Sequence, residues 1–267
     1  MELSIIIVSY NARTELERCL ESLHASPGRV AREIVVIDNA STDGSAAATR
    51  RWPAVRLVEA GANLGFARAA NIGIRASSGT NLLLLNSDVI VPAGAIERLI
   101  GELDRHPDVA VVGPRLVDGE GRAELSFGRM IGPLNDLRQR RLMIGQARRQ
   151  PAALRRIERL TRGEQYPDWV SGACLLVRRA DAVAVGLLDE RYFMYTEDVD
   201  FCAAIRARGR RILFTPHTEI THIRGRSAAA APAATREAYR RSRVAFYRKH
   251  HPFWAPFIRL YFRLSAG

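Results

Sequence analysis

Short apolar runs alternate with segments of helical periodicity along the first 115 residues of the chain. Residues 3–8 are apolar at nearly every position and rich in β-branched side chains, which predicts a strand buried on both faces. Residues 14–24 instead carry leucines at helical spacing, and Thr14 with Glu17 predicts a capping box at the start of this helix. The alternation continues with predicted strands at 34–38, 55–59, 82–85 and 109–113 and predicted helices at 44–51, 65–76 and 92–105. This order predicts an α/β fold with a mostly parallel, doubly wound sheet flanked by helices.

The pattern changes in the second half of the chain. Residues 126–166 are rich in arginine and show no clear apolar face, so we expect a basic helical excursion over the sheet edge. Ordered elements are predicted again as a strand at 169–177, a helix at 197–209 and a strand at 211–214. Small residues over 227–234 predict a linker. We therefore predict one domain over residues 1–230 and a basic, aromatic, helical tail over 231–267.

Composition narrows the class of protein. The chain is 47% hydrophobic and 25% charged, which is ordinary for a globular protein. Its three cysteines are widely spaced and form no CxxC pair, which argues against a disulfide framework or a structural zinc site and favours a reducing compartment. The sequence has no signal-peptide pattern and no apolar run approaching the roughly 18 residues of a spanning helix. We therefore expect a cytoplasmic protein.

The net charge of +12 is the unusual global property, and it comes almost entirely from arginine because Lys249 is the only lysine. A basic chain can bind nucleic acid, contact an anionic membrane or simply present a solvated basic face. No nucleic-acid-binding module is recognisable, so nucleic acid is not an expected partner. In the tail, a basic segment at 240–249 adjoins an aromatic segment at 253–262, a combination that suits peripheral membrane contact. Packing on the domain or on a second subunit is the alternative.

Polar residues follow three of the predicted strands. They are Ser9, Tyr10 and Asn11 after the first strand, Asp38 at the end of the second, and Asn86, Ser87 and Asp88 after the fourth. Ligands of doubly wound sheets bind at the carboxyl ends of the strands, so these residues predict a site. Taken singly, Asp38 could open a turn and Asp88 could cap a helix. The absence of GxGxxG and GxxxxGK[ST] argues against a dinucleotide enzyme or a P-loop NTPase.

Six motifs occur in an order that carries a family resemblance. They are Ile-Val-Ser-Tyr-Asn at 7–11, Val-Ile-Asp-Asn-Ala-Ser-Thr-Asp-Gly-Ser at 36–45, Asn-Leu-Gly-Phe-Ala at 63–67, Leu-Asn-Ser-Asp at 85–88, Ser-Gly-Ala-Cys-Leu-Leu-Val-Arg at 171–178 and Tyr-Thr-Glu-Asp-Val-Asp-Phe-Cys at 195–202. Together the motifs resemble those of the family-2 glycosyltransferases with the Rossmann-like GT-A fold, and in particular the rhamnosyltransferase-like branch. The resemblance extends over residues 3–227.

The resemblance implies an inverting, metal-dependent enzyme of cell-surface polysaccharide synthesis. Its donor would be a nucleotide-diphosphate sugar, and its acceptor a glycan or a lipid-linked saccharide. Residues 1–115 would form the nucleotide-binding half of the domain, and residues 116–230 the acceptor-binding and catalytic half. The implied nucleotide contacts are Ser9, Tyr10, Asn11, Asp38, Asn63, Gly65, Asn71 and Ser87.

A divalent cation is implied at Asp88, which stands where the family's DxD motif binds a metal that bridges the two phosphates. Asn86 replaces the first aspartate of that motif, so a second ligand is needed. His222 begins a segment that resembles the family's H-x-x-G-x-S motif, which implies that it ligates the metal or approaches the diphosphate. Imidazole suits Mn²⁺ better than Mg²⁺, so we expect manganese. The alternative for His222 is a packed or surface histidine.

The catalytic residue implied by the resemblance is Asp198, the second member of an adjacent Glu-Asp pair. An inverting transferase needs one carboxylate to accept the proton of the attacking hydroxyl, and Glu197 would orient the acceptor or tune the pKa of that base. Asp200 is expected to act only as an acidic residue at a helix N-terminus. Gly172 and Ala173 would face the acceptor together with Trp169, which could equally be a core residue.

The donor predicted from the branch resemblance is dTDP-rhamnose. Two alternatives remain at this point. The first keeps the fold and uses a UDP- or GDP-sugar, for example galactofuranose or mannose. The second is a basic nucleotide-binding module without catalytic activity.

Overall fold

A computed structural model describes residues 1–25, 28–223 and 232–264. Its strands are β1 (Leu3–Ser9), β2 (Arg32–Asp38), β3 (Val55–Glu59), β4 (Asn81–Asn86), β5 (Val89–Ile90), β6 (Val109–Val117), β7 (Phe127–Gly128), β8 (Trp169–Val170), β9 (Cys174–Arg178) and β10 (Arg211–His222). Its helices are α1 (Arg13–His24), α2 (Ser45–Thr49), α3 (Phe66–Arg75), α4 (Ala95–Arg105), α5 (Pro133–Ala147), α6 (Pro151–Leu160), α7 (Arg179–Ala184), α8 (Glu197–Ala207), α9 (Pro232–His250), a 3₁₀ turn (Pro252–Trp254) and α10 (Ala255–Leu264). The predicted α/β fold is confirmed, with helices on both faces of the sheet.

Eight strands form the central sheet in the order β3-β2-β1-β4-β9-β6-β10-β5. β1 lies between β2 and β4 and is parallel to both, so the carboxyl ends of these three strands lie side by side. β9 is antiparallel to β4 and β6, and β5 is antiparallel to β10. The sheet is therefore mostly parallel, as predicted, with two antiparallel strands that the motifs did not reveal.

The uninterrupted apolar sequence of β1 follows from burial on both faces. Ile5 and Ile7 pack in one core cluster with residues of α1 and α4, whereas Ile6 packs in the opposite cluster with residues of α3 and α8. Successive side chains of a strand point to opposite faces, so a strand covered by helices on both sides needs apolar residues at every position.

Two predicted strands have different bounds in the structure. The predicted strand at 169–177 is divided: Trp169–Val170 pairs with β7 in a separate two-stranded sheet, and only Cys174–Arg178 enters the main sheet. The turn between them brings Gly172 and Ala173 to the sheet edge. The predicted strand at 211–214 continues to His222 across an irregularity between Thr215 and Glu219. The proline at position 216 hid this continuation, because proline is confined to bulges and edges of sheets.

The predicted capping box of α1 is wrong. The helix begins at Arg13, its cap residue is Ala12, and Thr14 lies inside the first turn. The backbone N–H of Arg13 instead donates to Oδ2 of Asp43 at 2.8 Å, so a distant loop supplies the acceptor. Proline 92 does not begin α4 either, because Gly94 in the left-handed region precedes a helix that starts at Ala95.

The basic excursion is helical, as predicted, and consists of α5 and α6. The predicted helical tail is present as α9, the 3₁₀ turn and α10. Most of the predicted linker lies outside the described residues, and α9 begins at position 232. None of the helices in the described part of the chain is long and apolar enough to span a bilayer.

Candidate active site

The carboxyl ends of β2, β1 and β4 form the first part of the site. Ser9 pairs in register with Asp38, and Val8 pairs with Asn86. Neighbouring strands lie about 4.8 Å apart, so Asp38 and Asn86 stand about 10 Å from each other across the end of β1. That span is the width of a nucleoside with the start of its diphosphate. The predicted contacts at the three strand ends are thus brought to one edge of the sheet.

Asp38 combines a turn-forming contact with an unpaired oxygen. Its Oδ2 accepts the backbone N–H of Ser41 at 3.0 Å, which is the turn role considered above. Its Oδ1 is buried and has no hydrogen-bond partner in the described structure, and the same holds for the hydroxyl of Ser9. Buried polar atoms without partners are uncommon and costly. The two neighbouring strand ends therefore retain hydrogen-bonding capacity at the predicted nucleotide position.

Asn11 shapes the loop that follows Asp38. It adopts a left-handed backbone conformation with φ of 49°. Its backbone N–H donates to Ser41 Oγ at 3.0 Å, and its Oδ1 accepts the N–H of Thr42 at 2.8 Å. Tyr10 beside it is exposed and free to cover a bound base. Asn11 thus fixes the two loops around the predicted nucleotide position.

Asn39 is a site residue that the sequence analysis missed. Its Nδ2 donates to Asn63 Oδ1 at 3.0 Å, and its Oδ1 accepts the N–H of Leu64 at 2.9 Å. These bonds hold the loop that leads to Gly65, whose φ of 79° is left-handed. A Cβ at Gly65 would lie 2.2 Å from the backbone oxygen of Phe193, so only glycine permits this approach. The signal available in the sequence was the adjacency of Asn39 to Asp38.

Asn71 lies away from the strand ends and is engaged within the protein. Its Nδ2 donates to the Leu188 carbonyl at 2.8 Å and to Glu190 Oε1 at 3.0 Å. Its Oδ1 accepts the Leu188 N–H at 3.1 Å. With both ends of the amide occupied, the geometry favours a structural role in holding residues 188–190 over the predicted nucleotide contact.

Asp88 and His222 meet at the end of β4, as a metal pair requires. The extension of β10 pairs His222 with Val89, and His222 Nε2 lies 3.3 Å from Asp88 Oδ1. His222 Nδ1, on the other side of the ring, lies 3.1 Å from Glu124 Oε2. A histidine that ligates a metal commonly donates its second N–H to a carboxylate, and Glu124 occupies that position. Nothing in the local sequence distinguished Glu124 from other surface acids.

The two carboxylates change the ionisation of His222. Although burial disfavours the charged imidazolium, hydrogen bonds and Coulomb attraction from Asp88 and Glu124 raise the pKa of His222 to about 9. Glu124 is itself almost fully buried. Negative charge lies on both sides of the ring, from the partly exposed Asp88 and the buried Glu124, and this suits a cation site. The metal-ligand role of His222 stays a prediction, with a packed or surface histidine as its alternative.

Glu197 and Asp198 begin α8 after a turn with unusual backbone geometry. Tyr195 and Thr196 have φ values of 68° and 75°, a left-handed conformation that non-glycine residues seldom adopt. Such conformations are concentrated at functional sites, where the surrounding structure holds them. Asp198 Oδ2 accepts the Gly172 N–H at 2.9 Å, and its Oδ1 accepts the Val199 N–H at 2.8 Å.

The carboxylates of this pair titrate above their ordinary range. Burial raises the pKa of Glu197, and Coulomb repulsion from Asp198 raises it further. Burial also raises the pKa of Asp198, although hydrogen bonds from the backbone of Gly172 and Val199 and attraction to Arg243 oppose that rise. A carboxylate with a raised pKa is a stronger base, which is the property a general base needs near neutral pH.

Gly172 and Ala173 connect the two carboxylate centres. The N–H of Gly172 binds Asp198, and the carbonyl of the next residue, Ala173, accepts the N–H of Asn86 at 3.0 Å. Two hydrogen bonds and one dipeptide thus link Asp198 to the end of β4. Trp169 is half-buried, and its indole N–H donates to the Arg129 carbonyl at 2.9 Å.

The tail helix α9 supports the catalytic turn. Ser242 Oγ donates to the Met194 carbonyl at 2.7 Å, immediately before the strained residues. Lys249 Nζ and His250 Nε2 lie 2.8 and 2.6 Å from the carboxylate of Asp200 in α8. The expectation that Asp200 is only an acidic helix-start residue is therefore wrong, because it anchors α9 to the catalytic helix.

The sequence profile of the family described as "Glycosyl transferase family 2" matches residues 4–181. That match covers two thirds of the chain and includes the three strand ends. The chain belongs to glycosyl transferase family 2. The predicted family is thereby confirmed, the protein is a glycosyltransferase, and the alternative of a non-catalytic module is set aside.

Relatives of this family-2 glycosyltransferase include a rhamnosyltransferase. This chain is 33% identical over 264 residues to the N-acetylglucosaminyl-diphospho-decaprenol L-rhamnosyltransferase of Mycobacterium tuberculosis. The alignment covers 94% of this chain and 86% of the relative. It is 27% identical to the low-salt glycan biosynthesis hexosyltransferase Agl10 of Haloferax volcanii, covering 79% of this chain and 63% of that protein.

Solved structures agree with the fold of this family-2 glycosyltransferase. The mannosyltransferase PcManGT from Pyrobaculum calidifontis, in complex with GDP-Man and Mn²⁺, superposes with a TM-score of 0.65 at 19% identity. The superposition covers 97% of this chain and 68% of that one. At this level of identity the likeness establishes the shared fold, and the predicted GT-A architecture is confirmed.

Proposed function

We propose that this glycosyltransferase moves rhamnose from dTDP-rhamnose to a lipid-linked saccharide, with inversion, in cell-surface polysaccharide synthesis. The choice of sugar and acceptor is supported by the M. tuberculosis relative, whose name specifies rhamnosyl transfer to a diphospho-decaprenol acceptor. The UDP- and GDP-sugar alternatives remain for the experiment below. We place the reaction at the inner face of the cytoplasmic membrane, with the tail as a peripheral contact.

The observation that carries the proposal is the connection of Asp198 to the end of β4 through Gly172 and Ala173. This linkage supports the proposal that Asp198 acts next to a sugar diphosphate bound at that strand end. The Gly172 and Val199 N–H groups orient the Asp198 carboxylate while leaving lone pairs free. Asp198 accepts the proton of the acceptor hydroxyl as that oxygen forms its bond to the anomeric carbon. The bond from the anomeric carbon to the diphosphate breaks, and the nucleoside diphosphate leaves.

Glu197 has a distinct part in this proposal. Its Oε2 is buried without a partner in the described structure. The raised pKa of Glu197 keeps the carboxyl protonated over a wider range than an exposed glutamate. A protonated carboxyl donates a hydrogen bond, so Glu197 can hold an oxygen of the acceptor while Asp198 accepts the proton.

The residues at the end of β4 fit a divalent cation. Asp88 and His222 supply an oxygen and a nitrogen, and Glu124 fixes the imidazole from the far side. A bound Mn²⁺ would neutralise the charge that develops on the leaving diphosphate. Glu124 cannot share an ion with Asp88, because the two carboxylates contact opposite nitrogens of the ring.

The test incubates the purified protein with dTDP-rhamnose, UDP-galactofuranose, UDP-hexoses and GDP-mannose, in the presence of Mn²⁺ and a short-chain lipid-diphosphate saccharide. We expect transfer from dTDP-rhamnose, with an inverted anomeric centre by NMR. Asp198→Asn should lower kcat by about 100-fold or more while calorimetry shows unchanged donor affinity. Asp88→Ala should instead weaken donor binding in Mn²⁺. Full transfer by Asp198→Asn would disprove the base assignment, and another preferred donor would overturn the choice of rhamnose.

A further inference from the structure

Two helices outside the active site present apolar side chains to solvent. In α5 these are Leu134, Leu137, Met143 and Ile144, and in the C-terminal segment they are Phe253, Trp254, Phe257, Leu260, Tyr261 and Leu264. We call these ten residues the α5–α10 surface. Phe253, Leu134 and Leu264 are 74%, 73% and 75% exposed, which is unusual for large apolar side chains that serve packing.

The exposure does not arise because these helices are detached from the domain. Ala255 and Phe262 are the buried residues of α10, and Gly145 is the buried residue of α5. Arg243 of α9 forms a buried ion pair with Asp136 of α5. Both helices are thus docked on the domain, α10 through Ala255 and Phe262 and α5 through Gly145 and Asp136, while most of their large apolar side chains are exposed.

The two helices are neighbours and form one surface. The guanidinium carbon of Arg140 in α5 lies 5.4 Å from the ring centroid of Tyr261 in α10. His251, just before the 3₁₀ turn, has its Nε2 2.8 Å from the carbonyl oxygen of Ile131 before α5. The contact at one end of α5 and the contact at its middle hold the apolar residues of both helices close together.

Arginines border the α5–α10 surface, and acidic residues do not. Arg138 and Arg141 lie one helical turn from the exposed leucines of α5, and Arg259 and Arg263 alternate with the aromatic residues of α10. The segment from Pro252 to Leu264 contains no aspartate or glutamate. The single acid of α5, Asp136, is neutralised by Arg243. Aromatic and aliphatic side chains with flanking arginines are the composition of segments that lie in the interface of an anionic bilayer.

We propose that the α5–α10 surface docks on an anionic lipid bilayer, with α5 contributing to the contact together with the tail. This inference rests on the proposed function for its purpose, because a lipid-linked acceptor is presented at a membrane. The inference extends the membrane contact from the tail to α5, which belongs to the basic excursion, and so assigns α5 a function in membrane binding. Helix α9 contacts both α5 of this surface and the turn before α8, the helix that carries Asp198.

The test is flotation of the full-length protein with vesicles of phosphatidylcholine containing 30% phosphatidylglycerol, compared with phosphatidylcholine alone. Wild-type protein should bind the anionic vesicles and lose most of that binding in high salt. Phe257→Glu/Leu260→Glu in the tail and Leu134→Glu/Leu137→Glu in α5 should each lower the fraction bound by about tenfold or more. Val183→Glu on α7 is the matched control, because Val183 is 58% exposed and lies outside the surface.

A second variant guards against misfolding of the glutamate variants. Arg138→Gln/Arg141→Gln changes exposed side chains only, and it should weaken binding to anionic vesicles and reduce its dependence on salt. Wild-type-like binding by both α5 variants would overturn the inference. So would equal binding to neutral vesicles, or a dimer in light scattering that the surface variants dissociate, since the occupant would then be a second copy of the chain.

Failure of the inference and failure of the proposed function give different results. Donor hydrolysis in detergent-free buffer needs no membrane, so the surface variants should retain it. Asp198→Asn should float with anionic vesicles as wild type does. A protein that floats but transfers no sugar refutes the proposed function alone, whereas one that transfers sugar to a soluble acceptor but does not float refutes the docking surface alone.

Discussion

At positions 197 and 198, two adjacent acids are buried at the start of one helix with few groups to neutralise them. The helix N-terminus and the Gly172 N–H favour the charge of Asp198, but nothing comparable reaches Oε2 of Glu197. A structural role would be served better by a neutral or apolar side chain. The pair is therefore maintained at the expense of stability, as is common in active sites.

This conflict gives a prediction for Glu197→Gln. The pKa of Glu197 is raised from 4.5 to about 8, so between these values the unfolded chain releases a proton that the folded chain retains. The wild-type protein thus loses stability as pH rises through this window. Glu197→Gln removes the loss, so its Tm should exceed that of wild type by a few degrees at pH 8, roughly the effect of one or two kcal/mol.

The comparison with acidic pH is the control for that measurement. Near pH 4 both folded and unfolded Glu197 are largely protonated, so the melting temperatures of variant and wild type should converge. A constant difference at all pH values would show that packing, rather than ionisation, separates the two proteins. Transfer activity of Glu197→Gln should be largely retained in either case, because the glutamine amide can donate the hydrogen bond proposed for the protonated carboxyl.

Glu124 permits a second test at the level of one side chain. Replacing it with glutamine removes the charged acceptor that fixes the His222 ring, without changing the side-chain size. Loss of such a partner typically weakens metal affinity by about 10- to 100-fold. Electron paramagnetic resonance titration with Mn²⁺ measures this without catalysis. Glu120→Gln, on the exposed side of the same segment, should bind Mn²⁺ as wild type does.

Among the secondary-structure elements, α8 and α9 form the catalytic scaffold together. The Asp200 carboxylate pairs with Lys249 and His250 of α9 and accepts a hydrogen bond from the Tyr192 hydroxyl. Phe246 and Tyr247 of α9 also pack with Tyr192 in one buried cluster. The tail was predicted as a separate segment because its composition differs from that of the domain. Its first helix instead completes a buried cluster with Tyr192 and Val199 of the domain.

Asp200→Ala tests this anchoring. The substitution leaves His250 and the buried Tyr192 hydroxyl without their acceptor, and Lys249 keeps only Asp189. Removal of one member of a buried pair costs about 3–5 kcal/mol. We expect a Tm lower by about 10 °C and faster proteolysis within α9, followed by mass spectrometry. Asp104→Ala is the matched control, because the Asp104 side chain is 64% exposed and its ion pair is 4.0 Å long. Equal effects of both substitutions would contradict the anchoring role.

The elements that the sequence predicted well are those whose structure is determined by their own residues. Residues 3–8 and 55–59 have the composition of strands in any context, and the motifs at their ends located the site. The predictions that failed concern features that depend on residues far away in the sequence. The capping acceptor of α1 comes from Asp43, about 30 positions away, and β10 passes its proline only because β6 continues beside it. Glu124 could not be predicted, because its contact with His222 joins residues 98 positions apart.

At the scale of the whole molecule, the packing contacts divide the chain at other positions than the change in amino-acid composition near residue 230 does. Residues up to 223 form the sheet, α9 completes the core beside α8, and α10 adds an outward-facing surface. The three parts therefore make different contributions to donor chemistry and to acceptor delivery. Two truncations separate these contributions.

A chain ending at His251 removes only the 3₁₀ turn, α10 and the residues after it. Ser242, Lys249 and His250 remain, so the catalytic turn keeps its support and donor hydrolysis should stay within about twofold of wild type. Transfer to a lipid-linked acceptor in anionic vesicles should fall by about tenfold, because the larger part of the docking surface is lost. A chain ending at position 231 also loses Phe246 and Tyr247, which are fully buried, and should neither hydrolyse donor nor melt cooperatively. Donor hydrolysis by that shorter chain would show that the catalytic turn is stable without α9, and the two-part scaffold would have to be abandoned.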